Sequence, residues 1–78
     1  MKNQKISIVG LGYVGIPLLE ELVKKGHIIF GIDNSKEKVQ FLIKKFRKFK
    51  NKVLFSNNFK SIVYSDFVIV CVPTPINK

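Results

Sequence analysis

Glycines stand at positions 10, 12 and 15 of the stretch IVGLGYVG, residues 8–15, and so have the spacing G-x-G-x-x-G. In such a turn Gly10 permits a tight bend, Gly12 lets the backbone approach a pyrophosphate, and Gly15 lets a following helix pack closely on the sheet. The amides and positive dipole end at a helix start attract phosphate without a basic side chain. Asp33 follows 18 residues after Gly15, where a carboxylate accepts hydrogen bonds from ribose hydroxyls and repels a 2′-phosphate. NAD is therefore the expected cofactor, ahead of NADP. Alone, Asp33 in "DNS" reads as a turn or helix-cap residue, and a short glycine pattern recurs by chance. The two together, at this distance and between a strand and a helix, carry the binding reading.

Other candidates are weaker from position alone. Lys38 can reach the adenine-ribose edge, and is equally a solvated helix lysine. Thr74, after Pro73, follows an apolar strand at the carboxyl edge where open α/β sheets bind ligands, so its hydroxyl is placed for the nicotinamide side or for a proline-fixed turn. Cys71 lies inside an apolar run and reads as a buried core thiol. His27, just after a glycine, reads as a surface cap residue. One cysteine and one histidine offer neither a disulfide nor a zinc cluster, which sets aside secreted mini-protein and metal-module classes.

The elements that must hold these residues follow from periodicity. Residues 5–9, KISIV, form a β-branched run stopped by Gly10. Val14, Leu18 and Leu22, with Leu19 and Val23, mark a helical stripe closed by Lys24, Lys25 and Gly26 as C-cap. Pro17 is tolerated near the first turn with a local distortion. Residues 27–33 read as a second buried strand. Asn34 or Ser35 caps a second helix whose buried face is Val39, Leu42, Ile43 and Phe46. Residues 53–55 are a short third strand, NNFKSIVYS carries one or two helical turns, and residues 66–72 form a fourth strand ending at PTP. This βαβαβ order, then a short helix and a strand, predicts a parallel sheet covered on both faces by right-handed crossovers.

At 78 residues the chain has room for one domain or part of one, and 46% hydrophobic residues suffice for a packed core. No run approaches the roughly 20 apolar residues of a membrane span, and the interrupted apolar start lacks a signal-peptide cleavage site, so a soluble, cytoplasmic setting is expected. The net charge of +9 invites a nucleic-acid reading, yet 13 of the 14 basic residues are lysines and arginine-aromatic combinations are missing. Residues 44–52, KKFRKFKNK, read instead as the solvated face and tail of one helix.

Four stretches together, IVGLGYVGIPLL, GHIIFGID, SKEKV and DFVIVCVPTP, resemble the amino-terminal NAD-binding domain of the UDP-glucose/GDP-mannose dehydrogenase family. GLGYVG-x-P and VPTP are more specific than the glycine spacing alone. The resemblance implies a Rossmann-type three-layer αβα domain, here a partial doubly wound sheet of about four strands over residues 1–78. The resemblance also implies a place within enzymes that oxidise the C6 alcohol of a UDP- or GDP-sugar twice to a uronic acid. By the same resemblance Gly10, Leu11, Gly12, Tyr13, Val14 and Gly15 hold the pyrophosphate, Asp33 and Lys38 the adenosine ribose, and Pro73 and Thr74 the nicotinamide end. Relatives carry a longer segment between the second helix and third strand. The family's substrate domain, dimerisation core and catalytic cysteine have no counterpart here, and Cys71 does not match that cysteine's motif. The expectation is a cofactor-binding fragment, inactive alone, whose open sheet edge favours self-association. The alternatives are another NAD-linked dehydrogenase, of 6-phosphogluconate or hydroxyacyl-CoA type, or a non-enzymatic dinucleotide- or nucleic-acid-binding module.

Overall fold

The structure is a computed structural model that describes residues 3–71. Pro73 and Thr74 lie outside the described residues. Within them the chain runs β1 (Lys5–Val9), α1 (Gly15–Lys24), β2 (Ile28–Ile32), α2 (Lys36–Lys45), a short 3₁₀ turn (Arg47–Phe49), β3 (Val53–Ser56), a longer 3₁₀ helix (Phe59–Tyr64) and β4 (Phe67–Val70). The four strands form one parallel sheet in the order β3-β2-β1-β4. The chain thus steps outward from β1 through β2 to β3, then crosses back to lay β4 on the other side of β1. Right-handed crossovers in opposite directions put their connections on opposite faces. Accordingly α1 and α2 cover one face, and the 3₁₀ helix Phe59–Tyr64 packs on β1 and β2 from the other.

Alternation along β1 feeds both layers. Ile6 and Ile8 meet Leu19 and Val23 of α1, with Leu11, Ile29, Leu42, Phe46 and Val53 completing that core. Ser7, fully buried on the reverse face, hydrogen-bonds Ser65 at the end of the 3₁₀ helix. Ile8, Leu19, Ile29 and Ile32 have no exposed surface, and each such burial contributes about 2 kcal/mol.

Helix boundaries follow local chemistry. Ser35 caps α2 by accepting from the Lys38 amide at 3.2 Å, with Glu37 in the first turn and Lys44 and Lys45 in the last. Gly26 follows the last residue-cap of α1 with φ 96°, and its amide donates to the Val23 carbonyl at 3.0 Å. Pro17 lies third in an uninterrupted α1, where the missing amide would have had no intrahelical partner.

Several expectations need correction. Val14 does not join the buried stripe: it precedes the helix and is 66% exposed. Ile43 is 50% exposed, in an open hollow it shares with Phe46 and the edge strand β3. The fourth strand, expected over 66–72, is Phe67–Val70 within the described residues, Val72 lying outside them, and its Phe67, Val68 and Val70 are exposed, since no described helix lies over it. The one or two helical turns expected at NNFKSIVYS are the 3₁₀ helix Phe59–Tyr64. His27 is half-buried, and its Nδ1 accepts from the Gln4 amide at 3.0 Å, tying the starts of β1 and β2. Cys71 is also half-buried, packed on the edge of the core.

Candidate functional site

Strand register assembles the site. Val9 stands opposite Ile32 on one side and Val70 on the other. The residues that follow, Gly10, Asp33 and Cys71, therefore emerge side by side at the carboxyl edge. Backbone bonds lock the row: Gly10 N donates to Ile32 O at 2.8 Å, Cys71 N to Val9 O at 2.6 Å, and Asp33 N to Ser56 O at 3.1 Å. Because β1 connects toward β2 while β4 arrives from the far side, the crevice above β1 is a topological switch point, where open α/β sheets bind ligands.

The three glycines differ in their physical settings. Gly10 has φ 97°, a left-handed conformation that side chains rarely adopt. A Cβ on Gly15 would overlap the Gly10 carbonyl oxygen, so the helix can start this close to the strand only without one. Gly12 has neither a positive φ nor any atom within 4 Å of a Cβ position. Nothing within the described residues demands glycine there.

The start of α1 is uncapped. Val14 supplies no side-chain cap and the first turn holds no acid. Among the described residues, the amides of Gly12, Tyr13, Val14 and Gly15 have no protein acceptor. Consecutive donors at a positive dipole end suit a diphosphate. Tyr13, fully exposed, and Val14 leave this turn open to solvent, while the Leu11 side chain is buried in the core beneath it.

Asp33 bounds the cleft on the β2 side. Its side chain is 10% exposed; Oδ2 accepts from the Leu11 amide at 2.9 Å and Oδ1 from the Ser35 amide at 3.0 Å. Lys38 Nζ lies 3.5 Å from Oδ2 and is 44% exposed. Burial pulls the Asp33 carboxyl upward, but the two amides and the Lys38 ammonium together outweigh it and hold the pKa below the ordinary carboxylate value. The carboxylate is ionised at neutral pH and retains lone pairs for further donors. A cleft of about 750 Å³ joins the glycine loop, Asp33, Lys38 and the end of β4, including Cys71. That size suits a nucleotide cofactor. A more open groove of about 560 Å³ lies across the loop between α1 and α2, walled by Ile16, Pro17, Phe41 and Leu42. It lacks the carboxylate, so the cleft is the better match to a ribose and diphosphate.

The structure thus brings eight expected site residues, Gly10 to Gly15, Asp33 and Lys38, to one edge. Sequence reasoning missed two features. One is the bond from the Leu11 amide to Asp33, made across 22 positions of sequence. The other is Cys71 in the cleft wall, for which the register of β4 with β1 was the missing signal. Among the described residues no group of His, Cys, Asp or Glu could hold a metal ion, and no helix is long and apolar enough to cross a membrane.

A parallel sheet with its switch point above β1, an open helix start and an acceptor carboxylate after β2 define a Rossmann-type dinucleotide-binding domain. Comparison with known proteins makes this more specific. The UDP-glucose/GDP-mannose dehydrogenase family, NAD binding domain, matches residues 4–78, and the chain belongs to that family. It is 33% identical over 85 residues to Protein CapL of Staphylococcus aureus, covering 97% of this chain and 20% of that protein. It is 32% identical over 91 residues to the UDP-N-acetyl-D-glucosamine 6-dehydrogenase of Pseudomonas aeruginosa, covering all of this chain and 21% of that enzyme. A UDP-N-acetyl-D-mannosamine dehydrogenase of Methanococcus vannielii is 31% identical over 85 residues, covering 95% of this chain and 20% of its own length. The chain therefore spans about a fifth of the length of these relatives. The Pseudomonas alignment is 13 positions longer than this 78-residue chain, so that enzyme carries extra residues within the matched region.

Proposed function

We propose that this chain is the NAD-holding unit of a nucleotide-sugar 6-dehydrogenase, a partial cofactor domain over residues 1–78. The observation that supports it best is the cleft that sets the unpartnered amides of the glycine loop beside the ionised Asp33. In this reading the amides of Gly12, Tyr13, Val14 and Gly15 hold the pyrophosphate. Asp33 and Lys38 meet the adenosine ribose, and Pro73 and Thr74 serve the nicotinamide end. NAD, when bound, supplies the ring that accepts a hydride. Asp33 favours NAD over NADP, because a 2′-phosphate would face its carboxylate.

The names of the relatives favour a UDP-N-acetylhexosamine as the substrate of the longer protein to which such a unit belongs. Hydride transfer needs that sugar positioned against the nicotinamide. In this reading the 78-residue chain alone is inactive, its setting is cytoplasmic, and neither nucleic acid nor membrane is its partner. Among the described residues β4 is an edge strand with Val68 and Val70 exposed, which favours self-association.

Calorimetric titration with NAD, NADP and ADP-ribose tests the reading. Saturable NAD and ADP-ribose binding, with NADP at least about tenfold weaker, is the expected result; that ratio corresponds to about 1.4 kcal/mol. A folded chain that binds none of them, or binds NADP as well as NAD, overturns it. Reduction of NAD by a UDP-sugar with this chain alone would overturn the inactivity.

A further inference from the structure

Asp33 is placed to do more than meet a ribose. Its Oδ2 takes the Leu11 amide at 2.9 Å, the bond that fixes the second residue of the glycine turn. Its Oδ1 takes the Ser35 amide at 3.0 Å, and Ser35 in turn caps α2. One side chain thereby joins the loop before α1 to the start of α2. The Leu11 side chain is buried in the core directly below, so the loop is pinned at that residue by both side chain and amide.

We propose that Asp33 is the positioning residue of the phosphate loop: by holding the Leu11 amide it fixes the turn in which the next four amides stay open to a diphosphate. This rests on the cofactor reading above and adds a role independent of any ribose contact. Without the carboxylate, the Leu11 amide loses its acceptor at a position with little access to water. The turn then relaxes toward conformers that close the following amides on other partners, and diphosphate affinity falls although no diphosphate contact has been removed.

Electrostatics gives the test its sign. A carboxylate beside a diphosphate site repels the ligand, so removing it should strengthen binding of a ribose-free diphosphate if charge were all that mattered. Asparagine removes the charge but keeps one oxygen; turned to the Leu11 amide it preserves the loop bond, while its NH2 faces the Ser35 amide and the bond on the α2 side is lost. Alanine removes the charge and both oxygens. Inorganic pyrophosphate is the probe, titrated into the wild-type chain, Asp33→Asn and Asp33→Ala.

The expected order is Asp33→Asn at or above wild type, with Asp33→Ala weaker than Asp33→Asn by about tenfold, the loss typical of one charge-assisted or buried hydrogen bond. Equal pyrophosphate affinity in the two variants overturns the proposal, because a ribose-only role predicts no difference between them. Backbone NMR of the wild-type chain gives a second readout that survives a variant failing to fold. The Leu11 amide proton should titrate with the Asp33 carboxyl and exchange slowly with solvent while that group is ionised. A Leu11 amide indifferent to Asp33 ionisation also overturns the proposal. If wild type binds neither pyrophosphate nor NAD, the cofactor reading and the phosphate-loop role fail together, and a Leu11 amide that still follows Asp33 is then a structural bond only; if wild type binds them while Leu11 ignores Asp33, the positioning role alone fails.

Discussion

Substituting alanine at Gly15 and at Gly12 separates the two kinds of glycine in this loop. At Gly15 the added Cβ would overlap the Gly10 carbonyl oxygen, lie 3.1 Å from its carbon and 3.6 Å from Cys71 Cβ. The carbonyl cannot yield easily, because Gly10 is held at φ 97° with its amide on Ile32 O at 2.8 Å. Backbone must move, so the cost lies at or above the upper end for overpacking, about 3 kcal/mol. A chain of this length has a total stability of roughly 4–12 kcal/mol at the usual value per residue. At 4–8 °C per kcal/mol, Gly15→Ala should lower the melting temperature by roughly 12–24 °C. At Gly12 nothing lies within 4 Å and φ is not positive, so Gly12→Ala should change stability by no more than about 0.5 kcal/mol. Its methyl group instead stands where the diphosphate must approach, and NAD affinity should fall at least about tenfold. Thermal unfolding followed by circular dichroism, paired with NAD titration, reads both quantities. Equal melting temperatures for the two variants, or full NAD affinity in folded Gly12→Ala, would refute the assignment of an internal reason to Gly15 and an external one to Gly12.

The Asp33 carboxyl is held below its ordinary pKa, so the unfolded state binds the proton more readily and stability should rise with pH across that window. The contribution is complete above the unfolded value near 4 and disappears as pH falls through the lower folded value; urea midpoints should therefore drop more steeply below about pH 4 in wild type than in Asp33→Asn. Gly31→Ala brings a Cβ to 2.8 Å from Phe55 Cδ1 and 3.2 Å from Leu19 Cδ1, side-chain atoms rather than backbone. It should cost about 1–2 kcal/mol by denaturant unfolding, clearly less than Gly15→Ala. Size-exclusion chromatography over a concentration series should show association of wild type that Val68→Lys with Val70→Lys reduces; a wild-type monomer at every concentration rejects association through β4.

The elements legible in the sequence are those whose signals are local. KISIV stopped by glycine, Ser35 with Glu37 after it, and Gly26 behind two lysines each carry their own geometric reason within a few residues. The misread positions depend on what lies opposite. Val14 fits the spacing of Leu18 and Leu22, but the helix begins only at Gly15, so the stripe was extended one position too early. Ile43 follows Val39 by one helical turn, yet it lies half exposed beside the edge strand β3. β4 is as apolar as a buried strand, but burial depends on a covering layer that its own sequence does not reveal. In the site, the glycine spacing and Asp33 were readable because strand, turn and helix fix their separation. The Leu11 bond to Asp33 was not, since it depends on β1 and β2 pairing in one particular register.

That register also explains how so short a stretch can form a prepared site. A glycine-rich turn is conformationally free, and ordering it on binding would offset much of the gain from phosphate contacts. Here the turn is fixed before any ligand arrives. Gly10 is bonded to β2, Leu11 is held by the core and by Asp33, and Gly15 is pressed against the Gly10 carbonyl. Within this turn the amides from Gly12 to Gly15 are left without protein acceptors. Rigidity and unsatisfied donors thus come from neighbouring residues of the same turn, and the ordering is provided by strand pairing that the fold needs in any case. Replacing the anchors should loosen the loop without touching its donors, whereas filling the space above Gly12 should block the donors without loosening the loop.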